Sequence, residues 1–214
     1  MERIICLGMG YVLGLFQTAY IYGKMHGVDI RQMGSGNAGT TNTLRVFGAK
    51  AGLIVFVGDV LKCVIAVLLA RFLFSGSRPD IVYLLMLYAA AGAILGHNFP
   101  FYMGFRGGKG IATTAGLIAF HPAFLPMGVI VFFTVFLVTH YVSLGSLMLY
   151  AGFLIQLIVM GQMGFFHMSQ TALCELYAVG AFLTVMAYVK HRANIVRLCK
   201  GEERKTYLTK KNKV

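Results

Sequence analysis

Acidic side chains are scarce. The 214 residues carry seven Asp and Glu against 19 Lys and Arg, and charged residues of both signs make up 12% of the chain. Only Asp59 and Glu175 fall within apolar runs, while Glu2, Asp29, Asp80, Glu202 and Glu203 lie in connecting or terminal segments. A carboxylate cluster for Mg²⁺ or Zn²⁺ is therefore missing, which disfavours metal-assisted phosphoryl transfer and leaves no metal site to expect. The four cysteines (Cys6, Cys63, Cys174 and Cys199) are far apart, with no Cys-x-x-Cys or His-pair spacing. They indicate neither a disulfide framework nor a zinc site and read as small packing residues.

Long hydrophilic sequence is also lacking. Hydrophobic residues make up 58% of the chain, above the roughly 45–50% of soluble domains, which carry about 25% charge. The composition is that of an integral membrane protein folded as a single domain over residues 1–214. Apolar runs fall at 4–22, 51–74, 81–95, 111–120, 123–139, 144–165 and 171–189. The first has no small-residue cleavage site and reads as a retained helix. The fourth is too short to cross a bilayer as a straight helix, which takes about 20 residues. With His121-Pro122 after it, it reads as a half-helix, and Pro122 and Pro126 then occupy a bend and the first turn of the next helix. The expectation is an all-α polytopic bundle of about seven transmembrane helices, some of them short.

All but four of the 19 lysines and arginines lie in segments 24–50, 97–109 and 190–214; the exceptions are Arg3, Lys62, Arg71 and Arg78. The positive-inside rule places those three segments in the cytoplasm, with the N-terminus outside and the C-terminus inside. The formal charge of +12 flanks apolar spans and forms no aromatic-studded surface, so nucleic acid is not a predicted partner. The polar, basic tail from about Gly201 is expected to fray or to lie on anionic lipid.

Three glycine-rich polar stretches gather on that same side. In Gly34–Asn42 (GSGNAGTTN), glycines permit the positive φ angles that turn successive N–H groups toward an anion. Ser35, Thr41 and Asn42 can add hydrogen bonds, and Arg45 can fork onto a phosphate. The same residues also make an ordinary tight loop. In Gly96–Gly110 (GHNFPFYMGFRGGKG), the resemblance to a nucleotide-binding GxxxxGK[ST] loop fails at Met103 and at Gly110 after Lys109. What remains is a lysine at a helix N-terminus, suited to an anion or to lipid headgroups. His97 reads as a loop-holding residue or as a general base. Ser143 and Ser146 in Val142–Ser146 read as a helix cap. On a helix continuing past Lys190, His191 and Asn194 share a face. Asp59 and Lys62, three apart in one run, read as a mutually neutralising pair or as a functional intramembrane pair.

Together these motifs resemble the bacterial acyl-phosphate-dependent glycerol-3-phosphate acyltransferases, the PlsY-type family. The likeness rests on Gly34–Asn42 with Arg45, on Gly96-His97 with Phe99-Pro100 and Gly107-Gly108-Lys109-Gly110, on Ser143-Leu144 with Ser146, and on His191, Arg192 and Asn194. It implies seven helices around a cytoplasm-facing groove in the bacterial cytoplasmic membrane. It also implies acyl transfer from acyl-phosphate to the 1-hydroxyl of glycerol 3-phosphate, giving lysophosphatidic acid, without coenzyme A, acyl carrier protein or metal. No cofactor and no obligate protein partner are implied. Carried over, Ser35, Arg45, Lys109, His191 and Asn194 hold the phosphates and glycerol, together with Gly36, Asn37, Thr41 and Asn42. Gly107 and Gly108 bring amides close to substrate, and Ser143 lines the site. Cys63 stands where the family usually has glycine, which puts close helix packing there in question.

An acyl phosphate is already activated, so positioning two anions and stabilising an oxyanion can supply most of the acceleration. No side-chain nucleophile is then required, and the hydroxyl proton passes to a substrate phosphate or to His97. A small transporter of phosphorylated anions is the competing class. Transporters often carry inverted repeats, and the sequence shows none.

Overall fold

The computed structural model describes residues 1–207, which form helices and connecting turns with no strand among them. The helices, in chain order, are α1 (Glu2–Gly14), α2 (Thr18–Met25), α3 (Thr40–Phe47), α4 (Ala49–Phe74), α5 (Val82–Asn98), α6 (Ile111–Ala115), α7 (Phe124–Thr139), α8 (Val142–Gln162), α9 (Gln170–Lys190) and α10 (Arg192–Cys199). Five stretches are long and apolar enough to cross a membrane: Glu2–Met25, Ala49–Phe74, Pro79–Met103, Val142–Gln162 and Gln170–Lys190. Helix α7 is apolar but shorter, at 16 residues. The expected half-helix appears as α6 followed by a 3-10 turn, Gly116–Ala119.

Helix α5 is the central post. Its residues from Leu84 to Ile94 are nearly all buried, consistent with a helix that is apolar on every side. Against it, α1 packs backbone to backbone. A Cβ placed on Gly10 or Gly14 would strike the carbonyls of Ala89 or Ala93, and one on Gly92 or Gly96 would strike those of Leu7 or Tyr11. Each helix thus presents a Gly-x-x-x-Gly edge, the spacing that lets helices approach closely where no hydrophobic effect draws them together.

The first apolar run is not one straight helix. It breaks at residues 15–17 without a proline, and the buried Gln17 amide lies within hydrogen-bond distance of the carbonyls of Gly14, Gly96 and His97, at 3.1–3.2 Å. The break also frees the Phe16 carbonyl from the α-helical ladder. On the other side of the core, Cys63 is fully buried against Gly116, where a Cβ would stand 2.6 Å from that of Cys63. The glycine on the facing element preserves the close approach. Cys6 is also a core residue, whereas Cys174 and Cys199 are exposed; these two do not pack as the sequence suggested, because they lie on outward faces of α9 and α10.

Candidate active site

One cavity of about 790 Å³ draws walls from α3, α4, α7, α8 and α10 and from the segment that follows α10. Ser35, Gly36, Asn37, Thr41, Asn42, Arg45, His97, Lys109, Ser143, His191 and Asn194 all line it. Residues far apart in the chain therefore converge as the three polar stretches led one to expect. Gly107 and Gly108 do not line it. Their amides donate to the carbonyls of Asn98 (3.2 Å) and His97 (3.1 Å), and a Cβ on Gly108 would collide with His97 Nε2. These glycines let the loop fold against His97, and they present no amide to a ligand.

The first stretch is braced from behind. The Asn42 Oδ1 accepts from the Ser35 amide at 2.8 Å, and its Nδ2 donates to the carbonyls of Ile30 and Met33 at 3.2 and 2.9 Å. The amide groups of Gly36 and Gly39 are also bonded internally, to Met33 and Asn37. Among the described residues the amides of Gly34, Asn37 and Ala38 have no partner, nor do those of Thr40, Thr41 and Asn42 at the start of α3, which no side chain caps. The open donors thus extend from the glycine-rich loop into a helix N-terminus, a backbone arrangement suited to an anion. Ser35 is exposed at the rim.

Cationic groups ring the interior. Lys109 Nζ donates to Asn194 Oδ1. Burial in the cavity, partly offset by Glu203 and reinforced by Arg197, Arg45 and Lys190, lowers the Lys109 pKa to about 8. Burial likewise lowers Arg45, with Arg204 repelling it. Burial, then the charge of Lys109, depresses His191 to about 4. His191 Nδ1 lies 2.8 Å from the Ala187 carbonyl. A carbonyl only accepts, so Nδ1 bears the hydrogen and the neutral ring keeps a lone pair on Nε2. His191 terminates α9 and begins α10, so the helix does not continue as expected; His191 and Asn194 meet the cavity from either side of that break.

Sequence reasoning missed the occupant of the cationic ring. Glu203 Oε1 accepts from Asn194 Nδ2 (2.7 Å) and Ser143 Oγ (3.0 Å), and Oε2 accepts from Arg197 Nε (2.8 Å). Thr206, fully buried, accepts from Arg45 at 2.6 Å through Oγ1 and donates its amide to the His140 carbonyl. Residues 202–207 are therefore tucked into the cavity at Glu203 and Thr206, because the carboxylate satisfies Ser143, Asn194 and Arg197 and the hydroxyl satisfies Arg45. The remainder of the basic tail expected on lipid, residues 208–214, lies outside the described residues. Ser143 and Ser146 are not caps: Ser143 serves Glu203, and Ser146 Oγ donates to the Val142 carbonyl.

Part of the lining is apolar, built from Leu53 and Phe56 of α4 and Phe132, Phe133 and Phe136 of α7. Leu53, Phe56 and Phe133 are also exposed. The cavity thus combines cationic and amide-bearing lining with apolar lining.

A family model described as glycerol-3-phosphate acyltransferase matches residues 4–201. The chain is 42% identical to the glycerol-3-phosphate acyltransferase of Clostridioides difficile (strain 630) over 206 residues, covering 94% of each. It is 42% identical to that of Shouchella clausii over 200 residues, covering 92% of each. Among solved structures it resembles the integral membrane glycerol 3-phosphate acyltransferase PlsY in its glycerol 3-phosphate form, with TM-score 0.83, 29% identity and coverage of 97% of this chain and 96% of that one. The lysophosphatidic acid form of the same protein matches with TM-score 0.81 and 28% identity, covering 97% of each chain. The chain belongs to the glycerol-3-phosphate acyltransferase family.

Proposed function

We propose that the protein transfers a fatty acyl group from an acyl phosphate to the 1-hydroxyl of sn-glycerol 3-phosphate, releasing 1-acyl-glycerol 3-phosphate (lysophosphatidic acid) and phosphate. The observation that carries this reading is the meeting of two environments in one cavity: the polar and cationic Arg45, Lys109 and Asn194, and the apolar residues of α4 and α7. An acyl phosphate has that same duality, an anionic head on an apolar chain. The solved relatives in glycerol 3-phosphate and lysophosphatidic acid forms support the acceptor and the product.

In this reading the phosphates lie against Arg45, Lys109, Asn194 and the open amides of α3, with Ser35, Gly36, Asn37 and Thr41 at the rim. Asn42 and Ser143 support that wall. The lone pair on His191 Nε2 accepts a glycerol hydroxyl hydrogen bond. The hydroxyl oxygen attacks the acyl carbonyl carbon, the new C–O ester bond forms, and the C–O bond to phosphate breaks. Phosphate leaves with the electron pair, and the hydroxyl proton finishes on a phosphate oxygen. Bringing the two anions together against fixed donors supplies the rate.

We further infer seven membrane passages, counting the half-helix at α6, with the N-terminus outside, the C-terminus in the cytoplasm and the cavity opening there. The setting is the bacterial cytoplasmic membrane, and the chain acts as one domain without an obligate protein partner. Purified protein in detergent, given labelled glycerol 3-phosphate and palmitoyl phosphate, should yield labelled lipid with no membrane gradient. Uptake of the label into vesicles without any lipid product would favour the transporter class and sink the acyltransferase reading.

A further inference from the structure

Lys62 lies within α4, 4% exposed, where an ammonium persists only if its hydrogens are satisfied. Its Nζ has three partners: Asp59 Oδ1 at 2.9 Å, the Phe16 carbonyl freed by the α1–α2 break at 2.9 Å, and His97 Nδ1 at 2.7 Å. Asp59, 1% exposed, is held in turn by Thr18 Oγ1 at 3.2 Å.

An ammonium carries three N–H donors and no lone pair. Carboxylate and carbonyl take two of them, so the third meets His97 Nδ1, which must offer its lone pair. A neutral imidazole that accepts at Nδ1 carries its hydrogen on Nε2. The Asp59 Oδ1 to His97 Nδ1 separation is 3.5 Å, longer than the lysine contact, and leaves no hydrogen for that pair. Nε2 has no hydrogen-bond partner among the described residues, and His97 is 97% buried yet lines the cavity, with Nε2 on the side of Gly108.

We propose that Asp59 and Lys62 lock His97 as the Nε2–H tautomer, so that His97 donates a hydrogen bond to a substrate oxygen and does not take the hydroxyl proton. Asp59 and Lys62 are positioning residues; His97 is the group that touches substrate. The identity of that oxygen rests on the acyl-transfer reading, whereas the tautomer does not.

The test therefore begins without substrate. Full-length protein labelled with ¹⁵N-histidine in detergent, with the His97 signals identified by their loss in His97→Gln, should show hydrogen on Nε2 and a bare Nδ1. Hydrogen on Nδ1 overturns the proposal whatever the reaction proves to be. Lys62→Met alone strands a buried carboxylate, so the double variant Asp59→Asn, Lys62→Met is the one to compare. In it the His97 signals should report a mixture of tautomers, and an unchanged Nε2–H form in the folded double variant removes Lys62 as the lock. In turnover, glutamine keeps an N–H near the ε position but cannot act as a base. His97→Gln should lose no more than about tenfold in kcat, and His97→Ala about a hundredfold or more. Equal losses in both folded variants overturn the donor role.

Discussion

The Lys109 ammonium donates to the Asn194 side chain across 85 residues of sequence, joining the loop after α5 to α10 at the centre of the cavity. Lys109→Ala should lower kcat/KM for glycerol 3-phosphate by at least about a hundredfold, the equivalent of roughly 3 kcal/mol of transition-state stabilisation. Steady-state assays on folded variant decide it; a near-normal rate would remove Lys109 from the site.

Arg45 enters from α3 and holds Thr206 at 2.6 Å. The Arg45→Ala variant should lose activity on the same scale, about a hundredfold. Arg45→Lys should recover only part of it, since an ammonium cannot make the two parallel bonds of a guanidinium. Recovery to the full rate with lysine would mean that charge alone matters there.

Lys109 should also set a pH dependence. Its pKa of about 8 in the free protein means that the charge is present below that pH and lost above it. The KM for glycerol 3-phosphate should therefore rise as pH passes about 8, while kcat, measured with phosphate bound beside the lysine, changes less. Lys109→Arg, charged throughout this range, should flatten the rise in KM. A pH-independent KM in the unsubstituted protein would contradict this.

The apolar wall makes a prediction of opposite character. Phe132 and Phe136 stack at 5.9 Å between ring centroids. Phe132→Ala should raise the KM for a long-chain acyl phosphate about tenfold, the scale of removing a buried aromatic contact, and leave the KM for glycerol 3-phosphate within about twofold. Matching changes in both constants would place the acyl chain elsewhere.

Gly92 has no room for a side chain against the Leu7 carbonyl. Gly92→Val should destabilise the protein by about 1–3 kcal/mol, the usual cost of overpacking, and lower its thermal unfolding midpoint in detergent. An unchanged midpoint would show that α1 can withdraw from α5 freely.

Much of this architecture was legible in the letters. Apolar runs located every long helix within a few residues, because a membrane span is set by hydrophobic length. The convergence of Ser35, Arg45, Lys109, His191 and Asn194 followed from polar, glycine-rich breaks and from the family resemblance. The uses of individual groups were less legible. Gly107 and Gly108 looked like donors to a ligand, yet their amides serve the carbonyls of Asn98 and His97, a pairing fixed by how the loop folds onto His97. Glu203 looked like tail, since nothing local marks a carboxylate destined for Asn194 and Arg197. Asp59 and Lys62 were visible as a pair, but their link to His97 needs the packing of α4 on α5. The Gly-x-x-x-Gly edges at Gly10–Gly14 and Gly92–Gly96 are a signal for the α1–α5 contact that is readable in the sequence, because small residues four apart mark a helix face able to meet another backbone.

The seam between α1 and α5 leaves no side chain between two backbones, and Gln17 clamps the far end of α5 at the carbonyls of Gly96 and His97. His97, the α5 residue that lines the cavity, therefore stands on a fixed anvil. Accommodation of a ligand falls to the other walls, where the short helices and residues 202–207 are tied by side-chain bonds that a phosphate can exchange one at a time.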